Sequence, residues 1–366
     1  MFFENITKCF VSFLLKILYY TIISAVKGNI NRLLSFYYNM KTKNIYIVLT
    51  LLILCLFGSC DDEESFSVSS SNLLTFSADT IRLDTVFSTV PSSTRSFWIY
   101  NKSGKGLRNI NVRLENGNQA GFRVNVDGAY LSQTSGFQVN NIEVRNKDSI
   151  RVFVELTSPV NGGDRPLKIE DNIIFTLESG VQQKVNLMAY SWDANMMKNV
   201  VIDKDSTLGG FAKPIVVYGG ITVNDGATLT IVPGTTIYFH ADAGMDVYGR
   251  LKCIGDAGNE ITLRGDRLDN MFDYLPYDYV SGQWQGIRLR ESSYENEIRY
   301  TDVHGTFDGL KVDSADVSRL KLDIENSTIH NCQGYALTAE NAKIIMRNCE
   351  FTNALRNCIC IYGGET

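Results

Sequence analysis

The sequence predicts an all-β chain, a two-sheet sandwich followed by a parallel β-solenoid, and three observations carry that reading. Between residues 72 and 193 apolar and polar residues alternate in short runs, the period of a strand with one buried face. From residue 205 the strand-like runs shrink to three to five residues, with Gly, Asn or Asp between them and no room for helices. Beyond residue 298 the chain repeats itself at offsets of 26 and 22 residues, the length of one solenoid coil.

At the N-terminal side, Lys41 and Lys43 precede an apolar run from Ile45 to Phe57 that is too short to span a bilayer. The run ends in Gly58-Ser59-Cys60 and an acidic cluster from Asp61 to Glu64. This is the pattern of a lipoprotein signal peptide over residues 40–59, with Cys60 as the lipidated first residue of the mature chain. Met40 is then the expected start. Residues 1–39, whose apolar run from Cys9 to Val26 is broken by Lys16, read as mis-assigned upstream sequence, the alternative being a transmembrane helix. Several acyl chains on one cysteine anchor a domain firmly, at about 0.8 kcal/mol per buried methylene. The membrane is therefore an expected partner through the lipid, and residues 60–71, acidic and Ser-rich, are the linker. Phe57 and the acids after Cys60 resemble lipoproteins of the Bacteroidota that are exported to the cell surface. That resemblance implies an outer-membrane, surface-exposed location; a periplasm-facing lipoprotein is the alternative.

From Cys60 onward the chain carries 29 Lys and Arg against 39 Asp and Glu, a net charge of about −10, which argues against nucleic acid as a partner. Cys253, Cys332, Cys349, Cys358 and Cys360 are an odd, late group without metal-type spacing, and read as small core residues. No Gly-rich phosphate loop, Cys/His zinc set or Gly-x-Ser-x-Gly elbow occurs, so neither a cofactor nor a metal is expected. His240 stands apart and reads as a surface residue at a strand end.

The sandwich spans residues 72–193. Ile110, Val112 and Leu114 alternate with polar neighbours, as do Ile150, Val152 and Val154, then Val185, Leu187 and Ala189. Turn chemistry such as Asn101-Lys102-Ser103-Gly104 and Asn161-Gly162-Gly163-Asp164 separates the runs. About eight short strands of this kind point to two antiparallel sheets of Ig-like type. Phe97-Trp98-Ile99-Tyr100 reads as core and sheet packing.

The solenoid spans residues 205–366. Ile298 to Gly305 aligns with Ile324 to Asn331, and that with Met346 to Asn353. Stacked in register, Ile298, Ile324 and Met346 form one inner column and Val303, Ile329 and Phe351 another. Asn326 over Asn348 and Asn331 over Asn353 form amide ladders at corners, and Arg299, Glu325 and Arg347 form an alternating charge ladder. With Leu229-Thr230-Ile231-Val232-Pro233-Gly234-Thr235 and Trp284-Gln285-Gly286-Ile287, these repeats resemble right-handed parallel β-helix proteins of the pectin-lyase-like class. The resemblance implies a right-handed β-helix. Cys358 to Tyr362 reads as a strand inside a coil with no cap after it, so the chain is expected to be a truncated product.

Two candidate sites follow. The first is Asp302, His304, His330 and Glu350, which the alignment stacks on one outer face as two carboxylates and two histidines. Glycosidic hydrolysis uses carboxylates about 5 to 9.5 Å apart, and Asp302 and Glu350, two coils apart, fall at about 9.6 Å on ideal spacing. β-Helix hydrolases carry paired aspartates with a Gly-His-Gly turn, and the lyases a calcium-binding acidic cluster with a catalytic Arg. Neither set is intact here, so a binding role is favoured over an enzyme. The second is the insertion between coils, where Asp269, Asp273, Tyr274, Tyr277, Asp278, Tyr279 and Trp284 combine rings for stacking on sugars with carboxylates for their hydroxyls. Alternatively, Phe272 and Tyr274 cap a groove between the domains and Trp284 starts a buried strand. The expected function is a lipid-anchored envelope module for binding or adhesion, with a polysaccharide or cell-surface glycan as ligand. A polysaccharide lyase or glycoside hydrolase, and a structural envelope spacer, are the alternatives.

Overall fold

The structure is a computed structural model that describes residues 65–366 together with Lys16, Ile17 and Tyr19. Cys60, the proposed signal peptide and nearly all of residues 1–39 lie outside the described residues. Among the described residues no helix is long and apolar enough to cross a membrane.

Two five-stranded sheets form the sandwich. One sheet runs in the order Leu74–Phe76, Arg95–Asn101, Ser149–Leu156, Phe122–Val126, Ala129–Tyr130. The other runs Thr80–Phe87, Gln182–Trp192, Leu167–Thr176, Leu107–Leu114, Gln138–Val144. Their inward residues, among them Val112, Val124, Val152, Ile173 and Leu187, are fully buried, as the alternation requires. One pairing departs from the antiparallel expectation: Thr80–Phe87 lies parallel to Gln182–Trp192, with a bulge between Met188 and Tyr190. Trp98 departs from a core role, because its neighbours Phe97 and Ile99 take the inward positions and leave it outward beneath the Arg151 guanidinium, 5.4 Å from the ring centre.

From Asn195 the chain winds a right-handed β-solenoid of about seven coils, ahead of the expected residue 205. Each coil lays one strand on each of three faces, and the strands of successive coils pair in parallel. The first face carries Thr236–Phe239, Ile261–Gly265, Thr301–His304, Thr328–Cys332 and Glu350–Ala354 in that stacking order. In-register stacking at about 4.8 Å turns most inward positions into apolar columns, with buried polar members such as Thr301 beside Ile261 and Asn296 beside Leu322. Ile237, Leu263, Val303 and Ile329 are such a column, as are Cys253, Ile298 and Ile324. Burial pushes the Cys253 thiol up to about 12 and that of Cys332 up to about 11, so both are inert packing groups at neutral pH.

Corners need backbone in the left-handed region, and the side chains found there tolerate it. Asn326 and Asn348 both have φ of 50°, and Asn348 Nδ2 donates to Asn326 Oδ1 at 2.6 Å. The companion ladder takes another form: the Asn331 amide donates to the backbone carbonyl of Asp278 at 3.4 Å. The charge ladder is present, with Arg299 to Glu325 at 2.5 Å and Arg347 to Glu325 at 3.3 Å, and Asp323 shared by both arginines.

Over the described residues 65–366, sandwich and solenoid form one compact unit. Phe87 of the sandwich is buried against Val216 and Tyr238 on the first face, its ring 5.0 Å from that of Tyr238 and edge-on. Asp193 closes the junction, accepting hydrogen bonds from the Asn161 and Gly162 backbones at 3.1 and 2.8 Å and from Lys213 at 3.3 Å.

Candidate functional site

The insertion leaves the coil after Ile261–Gly265 and returns at Gln283-Trp284, so Leu263 pairs with Val303 across a longer interval than that from Val303 to Ile329 in the next coil. It folds down over the first face. Its first half is held structurally: Asp269 makes a bidentate pair with Arg267 at 2.8 and 2.7 Å and accepts from Ser93 of the sandwich at 2.7 Å. Arg95 of the sandwich donates to the Asn270 carbonyl at 3.0 Å. A Cβ at Gly265 would collide with the Gln283 side chain, which crosses the base of the loop.

Its second half meets the other candidate site. Arg264, His304 and His330 occupy one outward column on successive coils, since Leu263 aligns with Val303 and His304 with His330. The two imidazoles stack with centroids 4.8 Å apart. Asp278 reaches them from the loop: its Oδ1 accepts from His304 Nε2 at 3.0 Å and from Arg264 Nη1 at 2.6 Å. Asp302, on the strand of His304, bonds His304 Nδ1 through Oδ1 and His330 Nε2 through Oδ2, the latter at 3.2 Å. The result is a continuous chain, Arg264, Asp278, His304, Asp302, His330, in which solvent reaches the carboxylates of Asp278 and Asp302 more than the His304 ring.

Charge follows from that chain. Burial works against protonation of His304, but carboxylates on both ring nitrogens outweigh it and raise its pKa. Burial likewise opposes ionisation of Asp302, yet hydrogen bonds from His304 and His330 hold its carboxyl well below the usual range. Asp278 is held down chiefly by the His304 hydrogen bond, with burial opposing and Arg264 assisting.

The sequence-derived residues therefore take different places. Asp302, His304, His330 and Asp278 come together, which unites the two candidate sites into one. His304 is corrected from an outer-face residue to a largely buried one, because the loop covers it. Glu350 shares a column with Asp302 through Thr328 but lines a separate shallow cleft with Tyr300, Asn326 and Asn348. Tyr274 and Tyr279 are open to solvent, at 81% and 66% exposure, and Phe272 stacks on Tyr274 at 5.6 Å. These rings do not cap a groove. Asp273 is exposed, while Tyr277 lies under the Arg267 guanidinium at 3.9 Å. Of the two readings of Trp284 the buried strand holds and ligand binding does not: it is 0% exposed, stacks on Phe239 at 4.3 Å and donates its indole N–H to the His304 carbonyl at 2.8 Å. Asp269 is engaged by Arg267 and Ser93, as described, and is buried.

Sequence reading missed Arg264. The longer interval spanning the insertion hid its place in the histidine column. His240 is not isolated either, since its Nδ1 bonds Asp266 at 2.7 Å and its ring lies 4.5 Å from that of Tyr218.

No curated protein matches the chain. Among solved structures, a family 123 glycoside hydrolase from Clostridium perfringens that hydrolyses glycolipid glycans is similar at 8% identity and TM-score 0.25, over 36% of this chain and 30% of that one. The catalytic unit of a thermostable GH87 alpha-1,3-glucanase from Streptomyces thermodiastaticus is similar at 12% identity and TM-score 0.21, over 73% of this chain and 53% of that one. The CooA pilin subunit of enterotoxigenic Escherichia coli is similar at 10% identity and TM-score 0.22, over 32% of this chain and 96% of that one. The chain thus spans about a third of the glycolipid-glycan hydrolase and about half of the glucanase. The coiled part of the chain, residues 190–366, matches the family model described as right handed beta helix region.

Proposed function

We propose that this chain is an outer-membrane lipoprotein, tethered through lipid at Cys60, whose β-helix binds a polysaccharide at the edge of the insertion. One observation carries the reading: Asp278 ties the insertion to His304, so the exposed rings of Phe272, Tyr274 and Tyr279 belong to the same ordered loop that covers the histidine column. Rings offer flat apolar faces to sugar rings, and the Asp302 carboxylate and His330 imidazole nearby offer an acceptor and a second polar partner for hydroxyls. Because hydrogen bonds and an ion pair already fix the loop, binding orders little additional chain.

The test is binding of the full chain to a panel of neutral and acidic polysaccharides, repeated with Tyr274→Ala and Tyr279→Ala. Affinity for at least one glycan that falls about 10-fold or more in either variant supports the reading. Absence of binding, or binding indifferent to both substitutions, rejects it. The tether is tested apart: Cys60→Ser should move the protein from the membrane fraction to the soluble one, and protease treatment of intact cells should cleave a surface-displayed protein.

An enzymatic reading has its own observation. Asp302 orients His330 by a hydrogen bond to Nε2, the carboxylate-imidazole arrangement of an acid-base pair. New reducing ends or unsaturated uronates released from a polysaccharide, and lost in His330→Gln, would establish it.

A further inference from the structure

We propose that Asp302, His304 and His330 form a binding site for one divalent first-row transition metal ion. A carboxylate oxygen and one nitrogen from each imidazole lie within 4.8 Å of one another. In a tetrahedral zinc site with ligand bonds of about 2.0 to 2.1 Å, donor atoms stand about 3.3 Å apart; His330 Nε2 and Asp302 Oδ2 are 3.2 Å apart. His304 Nδ1 meets the other oxygen of the same carboxylate, Oδ1, so Asp302 lies between the two imidazoles.

The surroundings match what a metal site requires beyond its donors. A ligating imidazole presents one nitrogen to the ion when its other nitrogen donates to a carboxylate, which fixes tautomer and ring orientation. His304 has that partner: Nε2 faces Asp278 at 3.0 Å, and Asp278 is itself held by Arg264 at 2.6 Å. The Arg264 charge offsets that of Asp278, so Asp302 supplies the negative charge facing the ion. The ion takes the place of the proton shared by His304 and Asp302.

Solenoid geometry makes the set rigid. His304 and His330 are register partners on adjacent coils, and Asp302 is two residues from His304 on the same strand and the same outer face. Backbone stacking thus sets the donor positions without any loop movement. Two imidazoles and one carboxylate favour zinc, cobalt or ferrous iron over calcium or magnesium, which prefer oxygen donors. Three protein ligands leave at least one position open. Asp302 and His330 also serve as polar partners in the proposed sugar-binding edge, but the inference does not rest on carbohydrate binding, and its test contains no sugar.

The full chain, purified in detergent without a histidine tag and stripped with a chelator, is titrated with zinc(II) by calorimetry and with cobalt(II) by visible absorption. Expected are one equivalent of either ion and cobalt bands typical of nitrogen and oxygen donors. His330→Ala and His330→Gln should each lower zinc affinity by at least about 100-fold, and Asp278→Asn by about 10- to 100-fold. His240→Ala should leave it unchanged. Circular dichroism and the thermal midpoint of the ion-free His330 variants establish that the strands are intact. No stoichiometric binding by the wild-type chain, retained affinity in a folded His330 variant, an equal loss in His240→Ala, or a thiolate-to-cobalt charge-transfer band would each overturn the proposal.

Discussion

His304 Nε2 lies 3.0 Å from Asp278 Oδ1, a bond that joins a strand of the β-helix to a loop excluded from its stack. The same carboxylate oxygen meets Arg264 at 2.6 Å, so one side chain fastens the loop to two successive coils. Asp278→Ala should free the second half of the insertion. Solvent reaches Asp278, which limits the stability loss to about 1 kcal/mol, but polysaccharide affinity should fall about 10-fold or more through the lost order of the rings. Urea unfolding and glycan titration of the same preparation separate the two effects.

Trp284 and Tyr274 belong to the same excursion of the chain yet should respond in opposite ways. Trp284→Ala opens a cavity against Phe239 and removes the bond to the His304 carbonyl, at a cost of about 3 to 5 kcal/mol. Tyr274→Ala removes an exposed ring and should change stability by no more than about 0.5 kcal/mol. Equal losses in the two variants would place Tyr274 in the core and contradict the arrangement.

Acid should weaken the junction of sandwich and solenoid through Asp193. Burial opposes ionisation there, but donors from Asn161, Ser88, Gly162 and Lys213 prevail and hold the carboxyl below its ordinary value. The unfolded chain therefore takes up this proton first as pH falls. The contribution is complete above the ordinary carboxylate pKa of about 3.9 and disappears as pH drops through the folded value. Asp193→Asn should be less stable at pH 7 and show a shallower loss on acidification, read from urea midpoints between neutral pH and pH 3.

Alkali should act in the other direction through Lys321. Burial pushes its pKa down to about 8, and its ammonium donates to the Arg290 carbonyl at 2.6 Å. Between that value and the ordinary lysine pKa of about 10.4 the unfolded chain binds the additional proton, so this residue makes stability rise with pH. Lys321→Met should remove that rise; an unchanged slope would show that Lys321 is not its source.

At the corner, Asn326 holds φ of 50° and accepts from Asn348. Asn326→Val should cost at least about 1 to 2 kcal/mol, because a β-branched side chain resists the left-handed region. Asn326→Gly should be milder, losing the amide bond but keeping the backbone conformation. Thermal midpoints of the pair distinguish conformation from ladder.

Columns were legible in the sequence because stacking repeats the same inward position: Val303, Ile329 and Phe351 align in print as they do in space. The Asp302, His304 and His330 grouping was legible for the same reason. Arg264 was hidden because the insertion lengthens the interval before its partner coil, and repeat detection depends on a steady period. The union of Asp278 with His304 had no local signature at all, since a loop's folding direction depends on distant anchors such as Ser93 and Arg95 in the sandwich. Trp284 carried two readings, ligand binding and the start of a buried strand, because an aromatic beside a polar loop looks the same in sequence whether it faces a ligand or fills the coil; burial decides for the second.

Gly265 and Trp284 mark where the insertion departs and rejoins, and the columns on either side remain continuous across the gap. A segment hung this way can vary in length and composition while the scaffold beneath keeps its shape. On the proposed function, recognition and folding then reside in different stretches of the chain, and exchanging residues 266–283 would change the recognition surface while keeping the coil beneath it.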